Sequence, residues 1–267
     1  MARPTGRAME SMAPTDEELR RIFDGKYSGQ QDLGWGPRTR IRFGHFSPDE
    51  HYETLIGSLV APGCSWIDIG CGRDIFPSNP GLALELSKRA RHVFGVDSDQ
   101  NIDENPFLTE SYRGTLETCQ TDRKFDLVTM RMVAEHIENQ AAVAQRTFRL
   151  ANDGAVVVVF TPNKWSPMPI LTRLTSLDMH HYLKRFLWRT EERDTFPIQY
   201  KLNTRSDIKR HFEAAGFSEI HFQYLDDCRT FNRFRILNLL ELTVWKSLNA
   251  IRIRYPENCL LAVFKKK

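Results

Sequence analysis

Nowhere in the 267 residues does an apolar run approach the roughly 18 residues expected of a membrane-spanning helix. Cysteine is scarce. Its five thiols, Cys64, Cys71, Cys119, Cys228 and Cys259, form no CxxC and no Cys/His pair at zinc spacing. A disulfide framework and a zinc finger are therefore not expected, and an odd, scattered set fits free thiols in a reducing compartment. An excess of one charge sign is also missing: 37 Lys and Arg stand against 34 Asp and Glu, leaving a net charge of +3. Nucleic-acid binders cluster positive charge on one element. Here basic groups are scattered apart from Lys265-Lys266-Lys267, so no specific nucleic-acid partner is expected. Residues 1–17 lack the apolar core of a signal sequence and read as a disordered leader, which makes the cytoplasm the expected location.

What is present is an ordinary globular composition, 41% hydrophobic and 27% charged. Residues 18–267 read as one domain, with an N-terminal helical cover over 18–62. Asp16 to Tyr27 suits a short amphipathic helix, and Gly29 to Phe46 reads as an ordered loop or cover. Ser47-Pro48-Asp49-Glu50 opens a helix, with a Ser cap, Pro at the first helical position and acids in the first turn. Strand-like and helix-like segments then alternate. The strands are expected at 66–69, 91–96, near 112–115, 125–130, 154–160, 217–225 and 258–264, with helices between them. Gly154 to Phe160 is a continuous β-branched run, as expected of a strand covered on both faces. Such a series implies an α/β fold with a mostly parallel sheet and helices on both sides. Two further segments, 163–200 and 229–255, read as helical inserts.

The segment most informative about function is Asp68-Ile69-Gly70-Cys71-Gly72, a strand end running into two glycines. Glycines let the backbone turn tightly and approach a ligand with no Cβ in the way. Asp97, 25 residues after Gly72, ends the next strand, close to the ~20 expected of an acid that binds ribose hydroxyls. A tight turn alone would also explain the two glycines. The third glycine of a dinucleotide fingerprint is replaced by Ile75, which favours a cofactor without a pyrophosphate.

Trp66 to Asp74 resembles motif I of the class I S-adenosylmethionine (SAM)-dependent methyltransferases, and His92 to Asp97 resembles their second motif. Phe125 to Met130 followed by Glu135-His136-Ile137 is similar to the fourth-strand motif of the ubiquinone-biosynthesis-type branch (methyltransferase domain 11/23-like). The likeness continues through Leu150-Ala151-Asn152-Asp153-Gly154, Thr161-Pro162-Asn163, Asn203-Thr204 and Ala215-Gly216-Phe217, in the family's order. It implies a Rossmann-like seven-stranded sheet whose last strand is antiparallel, and SAM as the cofactor with S-adenosylhomocysteine as its product. It also implies that Asp68, Gly70, Cys71 and Gly72 surround the methionine part. Asp97 would hold the ribose, Ser98 would lie beside the adenine with Thr115 and Leu116, and Met130 and Arg131 would face the sulfonium and carboxylate end.

A transferred methyl group needs an aligned acceptor lone pair and, for a hydroxyl, a general base. His136, His180 and His181 are the candidate catalytic residues, with His45 a weaker one. The bland alternative for Glu135 and His136 is that they cap the next helix and orient a loop. No metal site is expected. Arg38, Arg40 and Arg42 suit either an anionic acceptor or a solvated face. Residues 167–190 and 231–251 are rich in Leu, Ile, Phe and Trp, so they are expected to pack as helices and to wall a pocket. A membrane-surface role for them stays open as an alternative. The expected activity is methyl transfer to a small-molecule or lipid-like acceptor, on oxygen, with carbon or nitrogen as the alternative. An NAD-dependent oxidoreductase and a non-catalytic SAM-binding protein are the rival readings.

Overall fold

Thr15 and Glu18 start the first helix by capping each other's backbone, α1 over Asp16–Tyr27. The computed structural model describes residues 12–28, 34–167, 169–170 and 199–267. Helix α2 covers Trp35–Phe43 and ends at Gly44 in the left-handed conformation. Of the loop or cover expected for Gly29 to Phe46, the loop alternative gives way to a helix within the cover. Gly34, Gly36 and Pro37 look like breakers, but Pro37 falls in the first turn, where its missing N–H costs no helical bond. Helix α3, Pro48–Leu59, begins with the Ser47–Glu50 capping box.

The sheet then builds as β1 (Ser65–Ile69), α4 (Pro80–Arg89), β2 (His92–Asp97), β3 (Glu110–Arg113), β4 (Phe125–Arg131), α5 (Gln140–Leu150) and β5 (Ala151–Pro162). After the undescribed stretch come α6 (Arg205–Ala214), β6 (Phe217–Asp226), α7 (Arg235–Ala250) and β7 (Glu257–Lys266). Strand order is β3-β2-β1-β4-β5-β7-β6. β7 runs antiparallel to both β5 and β6, and the other pairings are parallel. The C-terminal ends of β1, β2, β4, β5 and β6 therefore share one edge, where open α/β sheets bind ligands.

Alternation along β5 divides the core. Val157 and Val159 pack with Ile67, Met130, Phe212 and Phe264 on the α5–α6 side. Val158 and Phe160 pack with Tyr52, Ile56, Trp66 and Leu86 on the α3–α4 side. Tyr52 stacks on Phe160 with ring centroids 5.0 Å apart, which seats α3 across the sheet. The apolar run in 231–251 forms α7, which buries only part of it. Asn238, Glu241, Leu242 and Trp245 face inward, while Ile236, Leu237, Leu239, Leu240 and Val244 face outward. Most of the 163–200 insert lies outside the described residues.

Candidate cofactor and active site

β1 and β2 are paired so that Ile69 lies opposite Val96, and the chain turns as soon as β1 ends. Gly70 makes that turn with φ +74° while its N–H donates to the Val96 carbonyl at 2.7 Å. A Cβ on Gly70 would sit 2.7 Å from the Val133 Cβ, so both the torsion and the space require glycine. Gly72 also has positive φ, +48°, and its N–H donates to Oδ2 of Asp97 at 2.8 Å. A Cβ on Gly72 would meet only that same carboxylate oxygen, at 3.9 Å, which leaves an open cradle between loop and acid.

Asp97 Oδ1 accepts the Asp99 N–H at 2.8 Å. Each carboxylate oxygen thus takes one backbone donor and keeps lone pairs for a diol. The Cys71 side chain is buried against Gly95, where a Cβ would come within 2.8 Å of its sulfur. Asn105 was not read from the sequence. Its Nδ2 donates to the Gly72 carbonyl at 3.0 Å and to the Cys71 carbonyl at 3.4 Å, bracing the loop from behind. It lies in an irregular stretch without periodicity, so no sequence signal marked it.

Beneath the loop, Asp68 lies opposite Thr129 in the β1–β4 register. The Thr129 hydroxyl donates to Asp68 Oδ1 at 2.5 Å and accepts from the Trp66 indole at 2.7 Å. Asp68 is buried, and that desolvation pushes its pKa up to about 7, against the pull of the Thr129 hydrogen bond and the Arg131 charge. Ser98 and Thr115 are exposed near the same edge, whereas the Leu116 and Met130 side chains are core.

Arg131, at the end of β4, donates to Asp49 Oδ1 at 2.7 Å, and Arg229, after β6, donates to Asp49 Oδ2 at 2.9 Å. Arg229 also grips Asp227 with Nε and Nη2, each at 2.7 Å from a different oxygen. Burial alone would raise the Asp49 pKa, but the two guanidinium groups hold it well below the usual carboxylate range. The N-terminal cover is thereby bolted to the ligand edge. Asp49 reads in the sequence only as a first-turn acid, and its partners lie 82 and 180 residues away.

The remaining predicted groups divide clearly. His136 is half-buried in the 3-10 turn Ala134–His136 that follows β4, at the ligand edge. Glu135 beside it accepts from the Thr161 hydroxyl at 3.0 Å, and its backbone carbonyl receives the Gln199 and Tyr200 N–H groups. Glu135 does orient a loop, but Asn139 caps α5 instead of Glu135 or His136, accepting from the Ala142 N–H at 3.0 Å. His45 is buried, bonded to Asp226 at 3.2 Å and packed edge-on against Trp245. Arg40 is buried against Glu50 at 3.2 Å, while Arg38 and Arg42 are exposed on α2. His180 and His181 lie outside the described residues. Among the described residues no three His, Cys, Asp or Glu side chains converge as a metal ion would need.

The cleft suits an adenosyl group better than a dinucleotide. A pyrophosphate would use the N–H groups at the N-terminus of the helix after β1. Here Ile75 and Phe76 are core, and α4 begins with Asn79 already accepting from the Leu82 N–H at 3.2 Å. Asn79 is itself held by Glu53 at 2.9 Å. The cradle beside Gly72 and the spare lone pairs of Asp97 remain, and they fit a ribose carrying no pyrophosphate.

The chain is similar to known proteins in sequence profile and in fold. The sequence profile of a family described as a methyltransferase domain matches residues 32–221. A crystal structure of an S-adenosylmethionine-dependent methyltransferase from Mesorhizobium loti is similar, with a TM-score of 0.52 and 17% identity. That match covers 82% of this chain and 98% of that one. Magnesium protoporphyrin IX methyltransferase from Synechocystis PCC 6803, solved with bound S-adenosylhomocysteine, is also similar. Its TM-score is 0.49 at 13% identity, covering 94% of this chain and 93% of that one. No curated protein matches the chain.

Proposed function

Since the chain belongs to the methyltransferase-domain family of class I SAM-dependent enzymes, we propose that it methylates an oxygen of a small or lipid-like acceptor. The observation that carries this reading is the Gly70–Gly72 turn facing the Asp97 carboxylate across an open cradle. SAM is the cofactor, and when bound it supplies an activated methyl group. The chain's own residues supply binding and alignment. Asp97 accepts the ribose hydroxyls, Gly70 and Gly72 let the backbone close on the methionine part, and Arg131, held by Asp49, stands toward the carboxylate end. His136, on the turn after β4, takes the acceptor hydroxyl proton as attack proceeds. Glu135 and Thr161 hold the backbone of that turn in place.

The test is methyl transfer from trideuteromethyl SAM to a panel of hydroxyl-, amine- and carbon-nucleophile acceptors, read by mass spectrometry. The reading expects a product labelled on oxygen. His136→Asn should lower kcat by about 10²–10⁴-fold near neutral pH while leaving S-adenosylhomocysteine affinity unchanged. Label found only on nitrogen or carbon would overturn the oxygen assignment. Unchanged kcat in the variant would remove His136 from the mechanism.

A further inference from the structure

Helix α7 buries only part of its apolar surface. Its inward face carries Leu242 and Trp245 together with the polar Asn238 and Glu241, all buried. Its outward face carries Ile236, Leu240 and Val244 at i, i+4 and i+8, a single apolar stripe with Leu237 beside it. Ile236 is 76% exposed, Leu240 55% and Val244 51%, and the stripe continues past the helix end through Ile251 at 64% and Ile253 at 53%. Isolated exposed apolar side chains are ordinary, but a contiguous stripe marks an interaction surface.

Polar anchors fix this orientation. The Glu241 carboxylate accepts from the Thr230 and Phe231 N–H groups, from Asn238 Nδ2 and from the Tyr255 hydroxyl, each at 3.3 Å. Asn238 Nδ2 also donates to the Cys228 carbonyl at 3.0 Å, and the Trp245 indole donates to Asp226 at 2.7 Å. Rotating the helix to bury Ile236, Leu240 and Val244 would strand all of these groups, so the apolar stripe is held outward by the core beneath it.

Charge indicates what covers the stripe. Arg233, Arg235, Lys246, Arg252 and Arg254 are all exposed around it, and Glu241, turned inward, is the one acid between residues 228 and 256. Arg235 lies over the Trp35 ring at 5.4 Å and Lys246 over Phe43 at 5.6 Å, which places two of the cations at the seam between α7 and α2. Arg254 is paired with Glu257 at 3.3 Å, and with the other four cations the apolar face still has a cation-rich rim, complementary to acyl chains beneath anionic headgroups. A second copy of this surface would instead bring like charges together.

We propose that the Ile236–Leu240–Val244 face of α7, with Ile251 and Ile253, docks this protein peripherally on an anionic lipid bilayer. β6 runs parallel to β5, and α7 leaves the C-terminal end of β6. Helix α7 therefore connects strand ends at the ligand edge of the sheet. Docking there would present the cleft to an acceptor dissolved in lipid.

The full chain is mixed with phosphatidylcholine vesicles, with or without 30% phosphatidylglycerol as an explicit choice of about one anionic lipid in three, and separated by flotation. Binding is expected to the anionic vesicles and to weaken as salt is raised. The triple variant I236S/L240S/V244S should lose at least about tenfold in vesicle affinity. The separate variant R235E/R252E should lose about tenfold or more. Both should retain the thermal shift given by S-adenosylhomocysteine, which shows that the fold and the proposed cofactor site persist. Four results would overturn the proposal. The first is absence of binding, and the second is equal binding to both vesicle types. The third is a dimer in light scattering that the triple variant converts to monomer. The fourth is a drop in thermal midpoint for the triple variant as large as a core substitution gives, which would mean that this chain covers the stripe itself.

Discussion

The backbone N–H of Gly72 and the carboxylate of Asp97 are joined by a 2.8 Å hydrogen bond, with room above it that a single Cβ would begin to fill. Two strand ends are tied together there, yet the acid keeps acceptor capacity for a ligand. The two loop glycines consequently have different duties. Gly70→Ala should destabilise the fold, because the added methyl meets Val133 at 2.7 Å on top of the torsional cost of about 1–2 kcal/mol. Gly72→Ala meets no such clash, so it should cost little beyond the torsion while weakening S-adenosylhomocysteine binding. Urea denaturation of both variants, alongside calorimetric titration with S-adenosylhomocysteine, separates the two effects. Equal destabilisation by both would contradict this division.

Asp49 bridges Arg131 and Arg229, and so links the N-terminal cover to β4 and to the end of β6. Removing one partner of a buried pair costs about 3–5 kcal/mol. Both arginines here keep some solvent contact and Arg229 retains Asp227, so Asp49→Asn should cost less, about 2 kcal/mol. Arg229→Met, of similar length and without the charge, should cost less again, because Asp49 keeps Arg131. A chemical denaturation series checks the order. A loss under about 0.5 kcal/mol for Asp49→Asn would place this network among surface ion pairs.

The buried Asp68 imposes a pH dependence of its own. Its folded pKa of about 7 lies above the ~3.9 of an unfolded Asp, so the folded state holds a proton that the unfolded state releases between those values. Its contribution is therefore fully present below about pH 4, declines as pH rises, and is gone above about pH 7. Asp68→Asn keeps an acceptor for Thr129 and removes the titration. The difference in thermal midpoint between the ligand-free native protein and this variant should shift against the native protein from pH 5 to pH 7.5. A constant difference across that range would show that Asp68 stays ionised throughout.

Local patterns made the fold legible where they were strong. The β-branched run 154–160 forecast the heart of β5, and Ser47-Pro48 marked the helix start that α3 uses. β3 was harder to place, because an exposed edge strand reading Glu110-Ser111-Tyr112-Arg113 carries no apolar alternation. α2 was hidden by Gly36 and Pro37, whose breaker character is harmless in a first turn. In the cleft, Asp68, Gly70, Gly72 and Asp97 are close in sequence to strand ends and could be read from spacing. Asn105, Thr129 and the Asp49–Arg131–Arg229 network could not, since each depends on a pairing that exists only once the sheet has assembled. The orientation of α7 was equally opaque. A run apolar on nearly every side does not say which face turns inward, and that is decided by the partners of Glu241 and Asn238.

The central claim is that the cleft between Gly72 and Asp97 holds an adenosyl cofactor through its ribose. Calorimetric titration of the native chain and of Asp97→Ala, each with S-adenosylhomocysteine and with NAD, tests it most directly. The account predicts one-site binding of S-adenosylhomocysteine to the native chain, at least about tenfold weaker binding to the variant as hydrogen bonds to a charged group are lost, and no binding of NAD. Binding of NAD in preference to S-adenosylhomocysteine, or equal S-adenosylhomocysteine affinity in the two proteins, would contradict it.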